Sequence, residues 1–285
     1  MKKVILFLFV CWIQQAYSQK ADTALKFDKR YTQCEKKWVV LSKVDTAKKY
    51  NYGYVYIDEQ AGFTFDLQGA FAVDEKGRYV GDTMLLKKTG SIKYRIAPNW
   101  KPLALLPVKH LQELKLPIEP AWIKNYYHYT DTAYHNYRLG WVYNDANECD
   151  TALKYLEKAY QINPHKADVE FEMAYAYNVL KRYEDAVKVL KPAIDKNPDN
   201  PLLIKELGYA YLKLNALEQA LAVYLRAYNA FTEQKSEAKG EAAFNSARIY
   251  KRQEKLPEYK IWMMKAKDCT PETSPYYKYI VAEGF

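Results

Sequence analysis

The residues of this chain that could do covalent or metal chemistry are few and scattered. The histidines are His110, His128, His135 and His165. His128 and His135 stand seven apart, with no cysteine or acidic cluster at ligand spacing. A metal site needs several ligands converging at fixed separations, so none is expected. Cys34, Cys149 and Cys269 are an odd, widely spaced set beyond the first eighteen residues. They form neither a disulfide framework nor a metal pattern; at most one pair could form, and buried free thiols are the expectation. Asp66, near Tyr54 and Phe63, could in principle be an acid, but it is an isolated carboxylate on a strand candidate. No Gly-x-Ser-x-Gly, phosphate-cradling glycine loop or HExxH is present. The sequence therefore predicts no enzyme, no cofactor and no metal.

What is organised is a spacing. Leu139-Gly140, Tyr143, Ala152, Leu156, Ala159 and Pro164 recur 34 residues later as Met173-Ala174, Tyr177, Ala186, Leu190, Ala193 and Pro198. A third copy gives Leu207-Gly208, Tyr211, Ala220, Tyr224 and Ala227, with Thr232 in the proline's place. After a slip of five residues within 233–239, a degenerate fourth copy keeps Ser246-Ala247, Tyr250, Met263, Ala266 and Pro271, with Tyr259 where alanine is usual. A period of this length describes stacked helical hairpins, each unable to bury its apolar stripe alone. Small residues at Gly140, Ala174 and Gly208 let the two helices of a hairpin approach. Ala159, Ala193 and Ala227 do the same between hairpins, and the prolines end the second helices. The slip is expected to lengthen the loop or to add a turn to the preceding helix.

The array resembles tetratricopeptide repeats over about half the chain, matching that family's Leu-Gly, Tyr, Ala, aromatic or Leu, Ala and Pro positions. It departs at the leading aromatic, where Asn136, Glu170 and Ile204 stand. In such repeats the first helix of each hairpin lines a concave face, and the residue after Leu-Gly points into it. The resemblance therefore implies a groove carrying Trp141, Tyr175 and Tyr209. One turn earlier on the same side come Tyr137, Phe171 and Lys205, with Phe244 and Arg248 continuing the row. Arg138, Asn144, Glu172, Asn178 and Glu206 flank the rings. Tyr137 and Trp141 occupy the places of the Lys and Asn that clamp a terminal carboxylate in some members, so that mode of binding is not expected. The competing reading is that the rings fill a tightly wound superhelix or lie under the strand domain.

The elements around the array follow in order. Residues 1–18 read as a secretory signal: Lys2-Lys3, an apolar run over 4–13, and Ala16-Tyr17-Ser18 as a small-x-small cleavage site, with cleavage before Gln19. A retained anchor is the alternative, and Cys11 invites lipidation, but Val10 stands where a lipobox-like motif wants a small residue. The run is too short to span a bilayer comfortably, and no later stretch approaches that length. Removal of Lys2 and Lys3 would lower the formal net charge from +9 of the 285-residue chain to +7. The charge is scattered and accompanies no nucleic-acid motif, so anionic surfaces or acidic partners suit it better than DNA or RNA. Residues 19–32 read as a flexible N-terminus.

Residues 33–107 read as a small β-rich domain of four or five short antiparallel strands. The strand candidates are 38–41, the alternating Tyr52, Tyr54 and Tyr56, a turn at 58–62, Phe63 and Phe65, a hairpin around Gly77, and 91–97. Residues 108–132 read as a linker with capping helices at 108–116 and 121–129, the second packing on the open end of the first repeat. Repeats then fill 133–166, 167–200, 201–239 (with the insertion) and 240–273, before a tail at 274–285. The expected fold class is α+β: an all-α tetratricopeptide-type solenoid preceded by a small antiparallel β-rich domain. The expected role is a non-catalytic interaction or scaffolding protein of the cell envelope, periplasmic or secreted, holding a peptide segment of another envelope or secreted protein. A glycan-binding module using the stacked rings is the alternative. No membrane span is expected after signal removal, and the sequence leaves the oligomeric state open.

Overall fold

The computed structural model describes residues 25–43, 47–82, 92–130 and 132–285. The signal reading over 1–18 and Cys11 lie outside the described residues. Two compact units are present: one holds most of 25–123, and the other holds 124–285 together with 57–63 and 97–99.

In the first unit, six strands among the described residues form one antiparallel sheet. They are β1 (Lys37–Val40), β2 (Tyr50–Asp58), β3 (Gly62–Val73), β4 (Tyr79–Asp82), β5 (Ile92–Arg95) and β6 (Ala104–Leu105). The order is β4-β3-β2-β1-β6, and the long β3 pairs β5 through Thr64–Leu67 and β4 through Ala70–Val73. The alternating tyrosines of β2 are buried as expected, but so are Gly53, Val55 and Ile57 between them, so β2 is covered on both faces. Aromatic edges fill this core: Trp38 meets Tyr54 at 5.0 Å, Tyr79 stacks on Phe71 at 4.1 Å, and His110 stacks on Tyr79 at 3.7 Å. At Gly53 the backbones close in: any Cβ would press on the Asp66 carbonyl and the Phe65 ring.

Three expectations for the flanks are corrected. The described part of the N-terminal segment is not loose, because Lys29 exchanges two backbone hydrogen bonds with Leu103 and Tyr31–Cys34 forms a buried 3₁₀ turn. Residues 108–116 hold a three-residue 3₁₀ turn, Val108–His110, rather than a helix. The second expected helix, 121–129, is a 3₁₀ turn, Ala121–Tyr126, that opens directly after Pro120. Trp122 packs edge-on against Tyr54 and Tyr56 of the sheet, at 6.0 and 5.2 Å.

The second unit contains nine α-helices among its described residues. They are α1 (Ala133–Asp145), α2 (Cys149–Ile162), α3 (Ala167–Val179), α4 (Tyr183–Lys196), α5 (Pro201–Lys213), α6 (Leu217–Ala230), α7 (Glu237–Arg252), α8 (Leu256–Cys269) and α9 (Pro275–Ala282). Each hairpin closes the same way. A residue with positive φ (Asn147, Lys181, Asn215, Glu254) ends the first helix. The next backbone N–H then bonds the carbonyl of the repeat's tyrosine: Glu148 to Tyr143, Arg182 to Tyr177, Ala216 to Tyr211 and Lys255 to Tyr250, at 2.8–3.0 Å. This is the left-handed C-terminal cap that lets a helix stop sharply. Gly140 lies against Leu156 and Gly208 against the Tyr224 ring, where the hairpins are closest. Ala159, Ala193 and Ala227 are fully buried between hairpins.

The five-residue slip does not extend the preceding helix: α6 has the same 14 residues as α2 and α4. The connection before α7 takes six residues instead of four, and α7 has 16 residues where α1, α3 and α5 have 13. Ser236 caps that added turn through the Lys239 N–H at 3.2 Å. The expected tail over 274–285 is also corrected. Ser274 caps α9, Pro275 opens it, and its Ile280 is buried in a core with Phe244, Met263 and Ala266, closing the end of the array.

Against α1 lies the hairpin tip 57–63. Asp58 Oδ1 accepts the Gln60 and Ala61 N–H groups, so the tip is a tight turn. Arg138 donates to the Glu59 carbonyl at 2.6 and 2.9 Å, His135 pairs with the Glu59 carboxylate, and Phe63 meets Tyr143 edge-on at 5.6 Å. Arg138, expected to flank the groove, is thus committed to this turn.

Candidate partner-binding groove

The first helices of the hairpins carry a row of rings spaced by one repeat. Trp141 on α1, Tyr175 on α3 and Tyr209 on α5 are each half-buried, while residues two positions on, Tyr143 and Tyr177, point into the hairpins and are buried. A step of two residues turns a helix by about 200°, which is why these neighbours part company. The rings delimit successive cavities. One of about 200 Å³ lies between Trp141 and Tyr175, with Asn144, Phe171 and Glu172 in its walls. The next, of about 240 Å³, lies between Tyr175 and Tyr209, with Asn178, Lys205, Glu206 and Glu241. A third, of about 530 Å³, runs from Tyr209 to Phe244 and Arg248 and is walled on one side by α9. Adjacent cavities share Tyr175, then Tyr209 and Glu241, so they form one interrupted groove. Tyr137 lines none of these three; its half-buried ring sits 6.4 Å from that of Tyr134.

The polar groups expected to orient a partner are largely spent within the array. Asn144 is buried and donates to the Glu172 carbonyl at 3.0 Å and its carboxylate at 2.7 Å. Asn178 does the same to Glu206, at 3.3 and 2.9 Å. One amide thus ties each first helix to the next, leaving the carboxylates at the groove floor. Burial foremost raises the Glu172 carboxyl above its usual range, against the Asn144 hydrogen bond that lowers it. Lys205 sits between Glu206 and Glu241, its Nζ 2.9 Å from each. Burial works against its charge, but the two carboxylates outweigh it and raise its pKa. Phe244 is not an open ring: it is buried, with Tyr276 and Tyr279 of α9 at 5.7 and 6.5 Å.

Glu241, Lys213 and the α9 tyrosines were not foreseen. Glu241 stands where Leu202 stands in the third copy, a position the repeat pattern does not specify. The Ser274-Pro275 start signal was the available hint of α9.

Residues 144–201 and 180–240 match the tetratricopeptide repeat family. The helical array is a tetratricopeptide repeat array. The solved structures similar to it include MamA from Desulfovibrio magneticus RS-1, at 15% identity over 52% of this chain and 81% of that one, with a TM-score of 0.46. MamA AMB-1 is 21% identical over 47% and 71%, with a TM-score of 0.41, and MamA MSR-1 is 19% identical over 57% and 84%, with a TM-score of 0.42. No functional statement passes from these to the present chain. No curated protein matches the sequence. Tetratricopeptide repeat proteins bind other proteins, and the fold supports a protein–protein interaction or scaffold role. Among the described residues, no helix is long and apolar enough to cross a membrane, and no three His, Cys, Asp or Glu side chains gather as a metal would require.

Proposed function

We propose that this protein is an exported, non-catalytic scaffold of the cell envelope that holds an extended peptide segment of another envelope protein against Trp141, Tyr175 and Tyr209. The observation that carries this reading is the row of shared cavity walls: half-buried rings one repeat apart, with Tyr175 shared by the first and second cavities and Tyr209 by the second and third. Rings on a rigid scaffold give contact area at low entropic cost, and a segment laid along them would bury a side chain in each cavity. A glycan platform is less well supported, since Asn144 and Asn178 have their donors occupied by carboxylates. Export rests on Lys2-Lys3, the apolar run and Ala16-Tyr17-Ser18. Two measurements test the reading. Mass spectrometry of the native protein should find Gln19 as the first residue; an intact Met1 or a lipidated Cys11 contradicts export. A partner captured from the envelope fraction should be lost by Tyr175→Ala with Tyr209→Ala while the melt stays near the parent's. Retention by that variant contradicts the groove.

A further inference from the structure

The groove is not electrically uniform. Its first cavity has the carboxylates of Asp145 and Glu172 in its walls. Its second holds Glu206 and Glu241 around the single ammonium of Lys205. The second therefore has one carboxylate more than it has ammonium groups, within a chain whose formal net charge is +9. The third is balanced, Lys213 and Arg248 against Glu241 and Glu283. A fourth adjoins it through Phe244, Arg248 and Glu283, and sets Arg248, Lys251 and Arg252 against Glu283 alone. The sign of the surface changes from acidic to basic along the row. The phenol of Tyr175 senses the acidic end: its pKa is raised, by burial foremost and then by Cys149 and the carboxylates of Glu172, Glu206 and Asp145.

We infer that the groove reads charge order as well as apolar side chains, taking an extended segment with Lys or Arg at one end, seated between Trp141 and Tyr209, and Asp or Glu at the other, beside Arg248, Lys251 and Arg252. This rests on the peptide-groove reading above. The basic side chains fit for two reasons. Excess carboxylate attracts them, and the ring of Tyr175, shared by the first two cavities, presents a face of the kind that accepts cations. Three repeat steps of roughly 10 Å between packed helices span about 30 Å, or about nine extended residues. Complementary charge at both ends fixes register and orientation on a groove whose repeated rings alone would let a segment slide.

The test pans a random ten-residue peptide display library against the full chain at low salt. Enriched sequences should carry basic residues in one half and acidic residues in the other. Against Arg248→Glu with Lys251→Glu, both exposed in the parent, the acidic half should be lost from the enriched set. A synthetic copy of an enriched peptide should bind at least about tenfold more tightly than an isomer with the same charges alternated. That ratio should shrink toward one near 0.5 M salt, where screening acts over only a few ångströms. Enrichment without charge order, abolished by Tyr175→Ala with Tyr209→Ala, overturns the charge reading and leaves the groove. Enrichment that survives those two changes, no enrichment, or selective uptake of a neutral oligosaccharide by the groove overturns both.

Discussion

In the array, one contact recurs: a small residue of the first helix faces Leu156 in the first hairpin and Tyr224 in the third, and a left-handed residue closes each hairpin turn two positions before the next helix begins. In the sheet unit no contact recurs. Phe71, Tyr79 and His110 stack in one pile from three separate segments, and β3 finds two different partners along its length. The array therefore distributes its stability over nearest-neighbour interfaces, each replaceable in kind. The sheet unit concentrates its stability in a few close approaches that have no second copy. Function follows the same division. Periodicity is what lines up Trp141, Tyr175 and Tyr209, and departures from it, at Lys205, Glu241 and α9, are what make successive cavities differ.

The largest expected effect comes from breaking one such departure. Lys205→Met would leave Glu206 and Glu241 facing each other, and removing one partner of a buried ionic group costs roughly 3–5 kcal/mol. Thermal or urea unfolding measures it. A loss under about 1 kcal/mol would mean that the two carboxylates take up protons or water freely, and that this part of the groove is wetter than described.

Two glycines sharpen the comparison directly. A Cβ at Gly53 meets the Asp66 carbonyl, which cannot swing away, and the Phe65 ring at 2.6 Å; Gly53→Ala should cost about 3 kcal/mol. A Cβ at Gly208 meets first the Tyr224 ring, at 2.9 Å, a side chain rather than backbone, and alanine gains roughly 1 kcal/mol of helix propensity over glycine. Gly208→Ala should therefore stay within about 1 kcal/mol of the parent. Hydrogen exchange reads the units separately: Gly53→Ala should lower protection in β2 and β3, and Gly208→Ala should leave α5 and α6 nearly unchanged. Equal losses at the two sites would undo the distinction between backbone and side-chain contact.

The same contrast explains what could be read before the structure. Leu139, Tyr143, Ala152, Leu156 and Ala159 and their copies announce themselves because each hairpin repeats the same burial problem, so the helices could be placed one by one. The sheet's tyrosines were legible as strands, but the packing of Trp122 on Tyr54 and Tyr56 was not, since nothing local distinguishes it from packing on a helix. In the groove, the ring positions followed from the family pattern. The hydrogen bonds of Asn144 and Asn178 were not legible, because a 28-residue reach to Glu172 and Glu206 leaves no mark in a single sequence. The burial of Phe244 depends on α9, which lies beyond the last repeat.

A smaller effect isolates the groove floor. The Glu172 carboxyl has a folded-state pKa raised by burial, so its ionised form is disfavoured in the fold. The resulting penalty is absent below the ordinary glutamate pKa of about 4.3, grows as pH rises through it, and is complete above the folded-state value. Glu172→Gln should then be neutral or more stable than the parent at pH 7, by up to about 1 kcal/mol, with the difference vanishing near pH 3.5. A variant less stable than the parent at pH 7 would mean that the ionised carboxylate itself holds Asn144.

The most direct test of the central claim, that the rings of the first helices face a partner while their near neighbours hold the fold, is a paired melt of Tyr175→Ala and Tyr177→Ala, followed by binding once a segment is in hand. Tyr177 is 7% exposed, with Arg182 4.6 Å over its ring, and its loss should cost roughly 3–5 kcal/mol. Tyr175, half-buried between two cavities, should cost under about 1 kcal/mol in stability and about 1–3 kcal/mol in binding. If Tyr175→Ala unfolds the chain as readily as Tyr177→Ala, or leaves binding unchanged, the row of rings belongs to the core and the groove has no claim to function.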